Sequence, residues 1–261
     1  MSIKKYPLSS LQKVRKYIRQ TLDLPEIDGD SSSTSTADAM AEPDSLDDLS
    51  GIFTFGGTPM AEHPPSSVQD EWFVSTVNPG AALLKLPGLR VMSDFRLVSY
   101  LYRSQGSGAG VVWAVPADYS NMSQLEQALQ NNPQNIQAIP KPPQALENYM
   151  DAIEGDRSHS SFLMASILYR ELKEFGALAK RQNWSHHTLI DQIPVNENWQ
   201  WQANPPKDLM PKVRLYPDGK SAVEFFSCRS NDTTQIYRHL DQYLPNSYRP
   251  TGIDKPVAIA L

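Results

Sequence analysis

Residues 29–50 constrain the fold of this chain more than any other stretch. They read GDSSSTSTADAMAEPDSLDDLS, which is rich in Ser, Thr and Asp and poor in apolar residues. Such a segment cannot bury enough apolar surface to offset the entropy lost on ordering. Together with the Gly- and Pro-interrupted stretch that follows, it predicts a disordered acidic and Pro-rich linker over 29–69. The linker separates an arm at 1–28 from a single folded domain at 70–261.

Charge is segregated around this linker. Residues 1–20 hold six Lys or Arg and no acid, whereas residues 23–50 hold nine acids and no Lys or Arg. The remaining residues are almost neutral, although the whole chain carries a net charge of −5. Because the body is not basic, the composition weakens the case for nucleic-acid binding.

The composition also bears on the compartment. Cys228 is the single cysteine, so no intramolecular disulfide can form. The first residues contain no apolar leader, and no run approaches the ~18 apolar residues of a membrane span. The sequence therefore predicts a cytoplasmic protein, with peripheral contact to the cytosolic face of a membrane as an extension of that prediction.

Apolar periodicity and turn residues predict the secondary structure. The Asp-Gly turn at 217–220 between two apolar runs is the clearest hairpin signal. Helices are predicted over 8–22, 121–132, 145–155, 160–184 and 232–244, a short helix or turn over 79–88, and strands over 71–77, 95–103, 110–117, 212–216, 221–228 and 255–261. Hairpins that alternate with helices without a regular βαβ rhythm indicate an α+β fold with a largely antiparallel sheet and packed helices.

The first predicted helix is the strongest candidate for a binding element. Its apolar stripe lies beside a basic face, a combination that suits an acidic partner or an anionic membrane surface. The basic residues that would make this contact are Lys13, Arg15, Lys16 and Arg19. The alternative is that the helix docks on the body of the protein or on the acidic linker.

A second candidate binding element is the sequence NENWQWQANPP. If this stretch is extended, Trp199 and Trp201 project to the same side and could form a platform for a partner. The alternative is a lid packed over the sheet.

Candidate catalytic motifs each have a simpler structural explanation. The glycines of SQGSGAG (104–110) precede a predicted strand rather than a helix, so a hairpin loop is favoured over a phosphate cradle. Adjacent histidines such as His186 and His187 diverge on a helix and cannot share a metal ion. A nucleophilic pair of Cys228 with His239 is conceivable, but an unframed cysteine more often packs in a core. The sequence therefore predicts no catalytic, cofactor-binding or metal-binding residue.

Basic residues also accumulate near aromatic residues at the C-terminal end. This pattern can bind RNA or other anions, and its alternative is a solvated amphipathic face. The residues are Lys212, Arg214, Arg229 and Arg238, near Tyr237 and Tyr243.

Three stretches carry a resemblance to a known group of proteins. They are SILYRELKEFGALAKRQNWSHHTLI (166–190), WQW (199–201) and IYRHLDQYLPNSYRP (236–250), together 43 of the 261 residues. In these stretches the chain resembles conserved uncharacterised proteins of cyanobacteria. The resemblance implies a photosynthetic bacterial setting and transfers no activity or catalytic residue.

These observations favour a non-enzymatic interaction protein: an adaptor, assembly factor or regulator with a protein partner. In this interpretation the basic arm docks on a partner or on an anionic membrane face. One alternative is an enzyme whose acid–base residues meet only in the fold, which would show a deep pocket with perturbed pKa values. An RNA-binding protein is the third hypothesis, and it would need a continuous basic stripe on the sheet.

Overall fold

The computed structural model describes residues 1–23, 70–130, 133–195, 197–202, 204–230 and 233–261. The linker predicted over 29–69 lies outside these residues. The helices are α1 (Leu8–Leu22), α2 (Met122–Gln127) and α3 (His159–Lys173). The strands are β1 (Ser2–Lys5), β2 (Glu71–Val74), β3 (Leu89–Val91), β4 (Phe95–Ser104), β5 (Ser107–Pro116), β6 (Ile153–Gly155), β7 (His187–Ile190), β8 (Trp199–Trp201), β9 (Lys212–Leu215), β10 (Ser221–Ser230), β11 (Thr234–Tyr243) and β12 (Pro250–Ala260).

Seven strands form one large antiparallel sheet in the order β1-β9-β10-β11-β12-β8, and β7 pairs with β10 beyond the end of β9. A three-stranded sheet has the order β2-β4-β5, and β3 pairs with β6. This arrangement confirms the predicted α+β class with a largely antiparallel sheet.

Helix α3 lies at the centre of the core. Ser158 caps its start by accepting a hydrogen bond from the backbone N–H of Ser161, and eleven of its fifteen residues are buried. The helix packs against α1 on one side, β9 and β10 of the large sheet on another, and β5 of the small sheet on a third. Burial on several sides explains why its apolar stripe is so wide in the sequence.

The predicted helix over 160–184 is too long at its C-terminal end. The helix ends at Lys173. Gly176, three residues later, adopts a left-handed φ of +68°, which a continuing helix does not permit. A Cβ atom on that glycine would lie 2.3 Å from Leu101 Cδ2, so the close approach to β4 requires glycine. The chain after α3 is consequently free to turn towards the large sheet.

Helix α1 has the bounds that its periodicity predicts. Its apolar stripe enters the main core, where Leu11, Ile18 and Leu22 are almost completely buried. Strand β1, which the sequence pattern did not indicate, pairs with the edge strand β9. The first 23 residues therefore pack on the rest of the protein, which was the alternative to a free arm that binds a partner.

Two predicted helices are wrong. Residues 145–155 form a 3₁₀ turn at Tyr149–Ala152 followed by strand β6. The segment predicted as a helix over 232–244 is strand β11, hydrogen-bonded to β10 on one side and β12 on the other. The hairpins β4–β5 and β9–β10 confirm the corresponding predictions.

Strand alternation gives the large sheet two faces, which we name by their residues. The inner face packs on α3 and carries Val213, Val223, Phe225, Ser227, His239, Asp241 and Tyr243. The open face carries Ile3, Lys5, Lys212, Arg214, Glu224, Arg238, Leu240, Ile253 and Lys255.

Candidate functional site

A cavity of about 390 Å³ opens where the C-terminal end of α3 approaches both sheets. One wall is formed by Ala109 and Gly110 of β5, and the opposite wall by residues of β7, β10, β11 and β12. The segment after α3 closes the cavity with Asn183 and Trp184. We refer to this cavity as the cleft.

A chain of hydrogen bonds runs across the strands of the large sheet that form one wall of the cleft. Asp254 Oδ1 lies 2.7 Å from His239 Nδ1, and His239 Nε2 lies 2.7 Å from Ser227 Oγ. Ser227 Oγ in turn lies 2.8 Å from His187 Nδ1. Four side chains from β12, β11, β10 and β7 are thereby joined in one line.

When both imidazoles are neutral, the order of these contacts determines which ring nitrogens carry a proton. A carboxylate only accepts, so His239 Nδ1 carries a proton and His239 Nε2 is an acceptor. Ser227 then donates its hydroxyl proton to His239 and accepts the Nδ1–H of His187. The other ring nitrogen of His187, Nε2, is left as an acceptor on a residue that lines the cleft.

Burial keeps both imidazoles neutral. Burial lowers the pKa of His187 to about 3, and repulsion from His239, were both rings protonated, and from the guanidinium groups of Arg229 and Arg15 acts in the same direction. Burial also lowers the pKa of His239, although its hydrogen bond to Asp254 acts in the opposite direction. Neutral imidazoles are therefore the working state at physiological pH.

Arg170 joins this chain, which ends at the exposed carboxylate of Asp254, to the buried carboxylate of Asp241. Its guanidinium lies 2.5 Å and 3.0 Å from the two carboxylate oxygens of Asp241, and 2.7 Å from Asp254 Oδ1. Burial raises the pKa of Asp254, but the hydrogen bond from His239 and the charge of Arg170 outweigh it and hold that pKa well below its usual range. Ser166 adds a hydrogen bond to Asp241.

The cleft is lined by more cations than anions. Arg170, Lys173, Arg181 and Arg229 face two carboxylates, those of Glu174 and Asp254. Asp254 is engaged as described, and Glu174 accepts the backbone N–H groups of Trp184 and Ser185 at 2.7 Å and 2.6 Å. With Asp241, which pairs with Arg170 behind the lining, four cations meet three carboxylates, so an excess of positive charge remains.

Helix α1 supports the wall of the cleft through Arg15. This guanidinium donates to Glu171 Oε1 at 2.7 Å and to the carbonyl oxygens of Trp184 and His187, the former at 2.8 Å. It also lies 4.5 Å from the centre of the Trp184 ring, within cation–π distance. The N-terminal segment thus fixes the backbone that presents His187.

The basic residues predicted to bind a partner separate into two groups. Arg15 is buried, and Arg19 donates to Glu171 Oε2 at 3.2 Å, so both contact the protein itself. Lys13 and Lys16 are exposed on the outward side of α1. Partner binding by these four residues stays a prediction.

The tryptophan pair lies on strand β8, as alternation requires. Trp199 and Trp201 are half-buried against a cluster formed by Leu209, Phe226 and Ile236. Trp199 Nε1 donates to the carbonyl oxygen of Pro194 at 2.8 Å. This packing matches the lid alternative, and a partner on these indoles stays a prediction.

The conceivable pair of Cys228 with His239 is wrong. Cys228 lies opposite Ile236 in the β10–β11 register, on the other side of the sheet from His239. Cys228 is buried, in agreement with the favoured interpretation of a cysteine packed in a core. His239 instead contacts Ser227, one residue earlier in β10.

No sequence motif marks the residues of the cleft. In the sequence His187 stands out only beside His186, as a potential metal ligand. Among the described residues, no set of three His, Cys, Asp or Glu side chains could hold a metal ion. No helix in the described part of the chain is both long and apolar enough to cross a bilayer. Comparisons with protein-family models, curated proteins and solved structures find no match to this chain.

Proposed function

We propose that this protein is a non-enzymatic regulator that binds a small organic anion in the cleft. The observation that carries the proposal is the combination of an excess of lining cations with one fixed, neutral acceptor, His187. Cations attract an anionic group, and a neutral imidazole accepts a hydrogen bond from a hydroxyl group on the same molecule. A hydroxy acid or a phosphate monoester has both features.

The size of the cleft agrees with such a ligand. A volume of about 390 Å³ lies towards the lower end of pockets that hold small molecules, roughly 300–1,000 Å³. The partners of His187 are fixed by buried hydrogen bonds, so little reorganisation accompanies binding.

Two observations favour binding over catalysis. Ser227 has the contacts of a serine nucleophile to His239 and Asp254, but it is fully buried and its oxygen also contacts His187. A His187 pKa of about 3 makes this imidazole a weak base, whereas an efficient general base has a pKa near the working pH.

The regulator also needs a partner, and the sequence offers the exposed cations of α1 for it. Arg15 links α1 to the cleft backbone at Trp184 and His187. A partner on Lys13 and Lys16 would therefore contact the helix that supports the ligand site. This connection supports a regulator rather than a passive adaptor.

Thermal-shift and calorimetric measurements on the full chain test the ligand proposal. Inorganic phosphate, citrate and glucose 6-phosphate serve as anionic probes, and glucose as the neutral comparator. We expect the anions to raise the Tm at low salt. The Lys173→Gln/Arg181→Gln variant should lose this shift, because both exposed cations line the cleft.

The matched control is Lys13→Gln/Lys16→Gln, which removes the same charge from the outward side of α1. It should retain the shift. An equal loss in both variants would indicate nonspecific screening, and no shift with any probe would contradict the proposal.

A further inference from the structure

The open face of the large sheet carries a second concentration of positive charge, separate from the cleft. The register places Lys5 beside Lys212, Lys212 beside Glu224, and Arg238 beside Lys255. Arg214 lies on the same face, one row away. Five cations from β1, β9, β11 and β12 thus surround the middle of the sheet.

Glu224 is the acid at the centre of this group. It accepts from Arg238 Nε at 2.7 Å and Arg214 Nη2 at 2.9 Å, and Lys212 Nζ lies at 3.3 Å. Asp208, in the loop before β9, pairs with Lys5 at 2.7 Å. Two carboxylates therefore balance only part of the charge of five cations.

Apolar side chains lie among these cations and are open to solvent. Ile3 is 51 % exposed and Ile253 is 57 % exposed. Leu240 lies directly opposite Ile253 in the register and is half-buried. The face thus offers both positive charge and apolar contact area.

We propose that the open face is a docking surface for an acidic polypeptide segment that carries apolar residues. Charge complementarity supplies the first argument, because carboxylates on such a segment would pair with cations that Glu224 and Asp208 leave in excess. The exposed isoleucines supply the second, since they would pack against apolar residues between the acids.

The same observations favour a polypeptide over other anions. Binding of single-stranded nucleic acid relies on stacking against exposed aromatic rings. On this face Phe226 is 2 % exposed, and Trp199 and Trp201 are half-buried against the cluster that contains Phe226. The net charge of −5 also opposes a long polyanion. A membrane would meet the long Lys and Arg side chains before Ile3 or Ile253 reached the hydrocarbon region.

Fluorescence anisotropy on the full chain tests the proposal. The probe is a labelled peptide of glutamates interspersed with leucines, and the comparator has every glutamate replaced by glutamine. The Arg238→Gln/Lys255→Gln variant should weaken binding of the acidic peptide by about tenfold, because two exposed charge contacts are lost. Glu224 keeps Lys212 and Arg214 in this variant, so the fold should persist, and a thermal melt checks it.

The control is Lys141→Gln/Lys180→Gln, which makes the same change in net charge at exposed positions away from the large sheet. It should leave the affinity unchanged within about twofold. Ile253→Ser should weaken binding of the leucine-containing peptide and leave binding of plain oligoglutamate unaffected.

Three results would overturn the proposal. The first is failure of the wild-type chain to bind the acidic peptide at low salt. The second is an equal loss of affinity in the open-face variant and in the control variant. The third is tighter binding of oligouridine or of phosphatidylglycerol vesicles than of the peptide, with the same dependence on Arg238 and Lys255.

Discussion

The inner and open faces of the large sheet both hold a buried carboxylate, but they surround it differently. Asp241 on the inner face is fully buried, and its cation, Arg170, is only 5 % exposed. Glu224 on the open face is 5 % exposed, but Arg214 and Arg238 reach it from partly exposed positions. The inner pair depends on one partner shielded from water, whereas the open cluster has three partners and nearby solvent.

This difference predicts a rigid ion pair on the inner face and interchangeable ion pairs on the open face. A buried ion whose partner is removed cannot be hydrated, so loss of the partner strongly destabilises the fold. An ion with several solvent-exposed partners loses little when one is removed. The inner face is therefore suited to a preformed ligand site, and the open face to reversible contacts with a charged partner.

The largest expected effect comes from removing the cation of the inner pair. Arg170→Met leaves Asp241 buried without its charge partner and should lower the free energy of unfolding by about 3–5 kcal/mol. Arg238→Met on the open face should cost no more than about 1 kcal/mol, because Lys212 and Arg214 remain on Glu224. Urea denaturation of both variants measures the contrast, and similar losses would refute it.

If Arg170→Met fails to fold, a double variant keeps the comparison testable. Arg170→Met/Asp241→Asn removes both charges and should recover part of the stability. No recovery would mean that Arg170 acts mainly through its packing on Trp184 and Phe225, at 5.5 Å and 5.0 Å.

The next effect concerns the apolar layer that covers the inner face. Ile18 on α1 is completely buried, so Ile18→Ala should lower the free energy of unfolding by about 2–5 kcal/mol. Ile253→Ala on the open face is the matched control and should have a much smaller effect, because this side chain is largely exposed. A small effect at Ile18 would show that the N-terminal segment is a separate arm after all.

The third prediction concerns the pH dependence of stability, which should change on substitution near the inner face but not on the open face. The folded-state pKa of His187 lies near 3, below the 6.5 of an unfolded histidine, so the unfolded chain binds the proton more tightly. Stability is then fully present above pH 6.5 and is lost as the pH falls from 6.5 towards 3. When the pH falls from about 7.5 to about 5, the free energy of unfolding should decrease by about 2 kcal/mol less in His187→Gln than in the wild type.

Lys255→Gln on the open face is the control for this measurement, since lysine does not titrate in that range. Its pH dependence should follow the wild type. Urea denaturation at a series of pH values gives the comparison, and an unchanged slope in His187→Gln would contradict the neutral state of the buried imidazole.

Local patterns predicted the elements whose apolar residues face one core. Helix α1 has the predicted bounds because its stripe repeats at helical spacing and enters the core. The β9–β10 hairpin followed from its Asp-Gly turn, in which Gly219 adopts a φ of +81°. These signals depend only on neighbours in sequence, so no tertiary information was needed.

The error at β11 has a physical cause. Its inner-face positions alternate as in any strand, but His239 and Asp241 are polar and hide the period of two. Ile236, Leu240 and Tyr243 then mimic helical spacing. Burial of the polar residues is possible only because Arg170, Ser227 and Asp254 supply their hydrogen bonds.

The sequence by itself determined the α+β class, the main hairpins and the course of α1, because each rests on spacing along the chain. Tertiary structure alone decided the docking of the N-terminal segment, the end of α3 and the cleft. The residues of the cleft come from β5, from α3 and the segment after it, and from β7, β10, β11 and β12, far apart in sequence. A directed hydrogen-bond chain needs atoms within about 3 Å, and only the packing of α3 on the large sheet brings them that close.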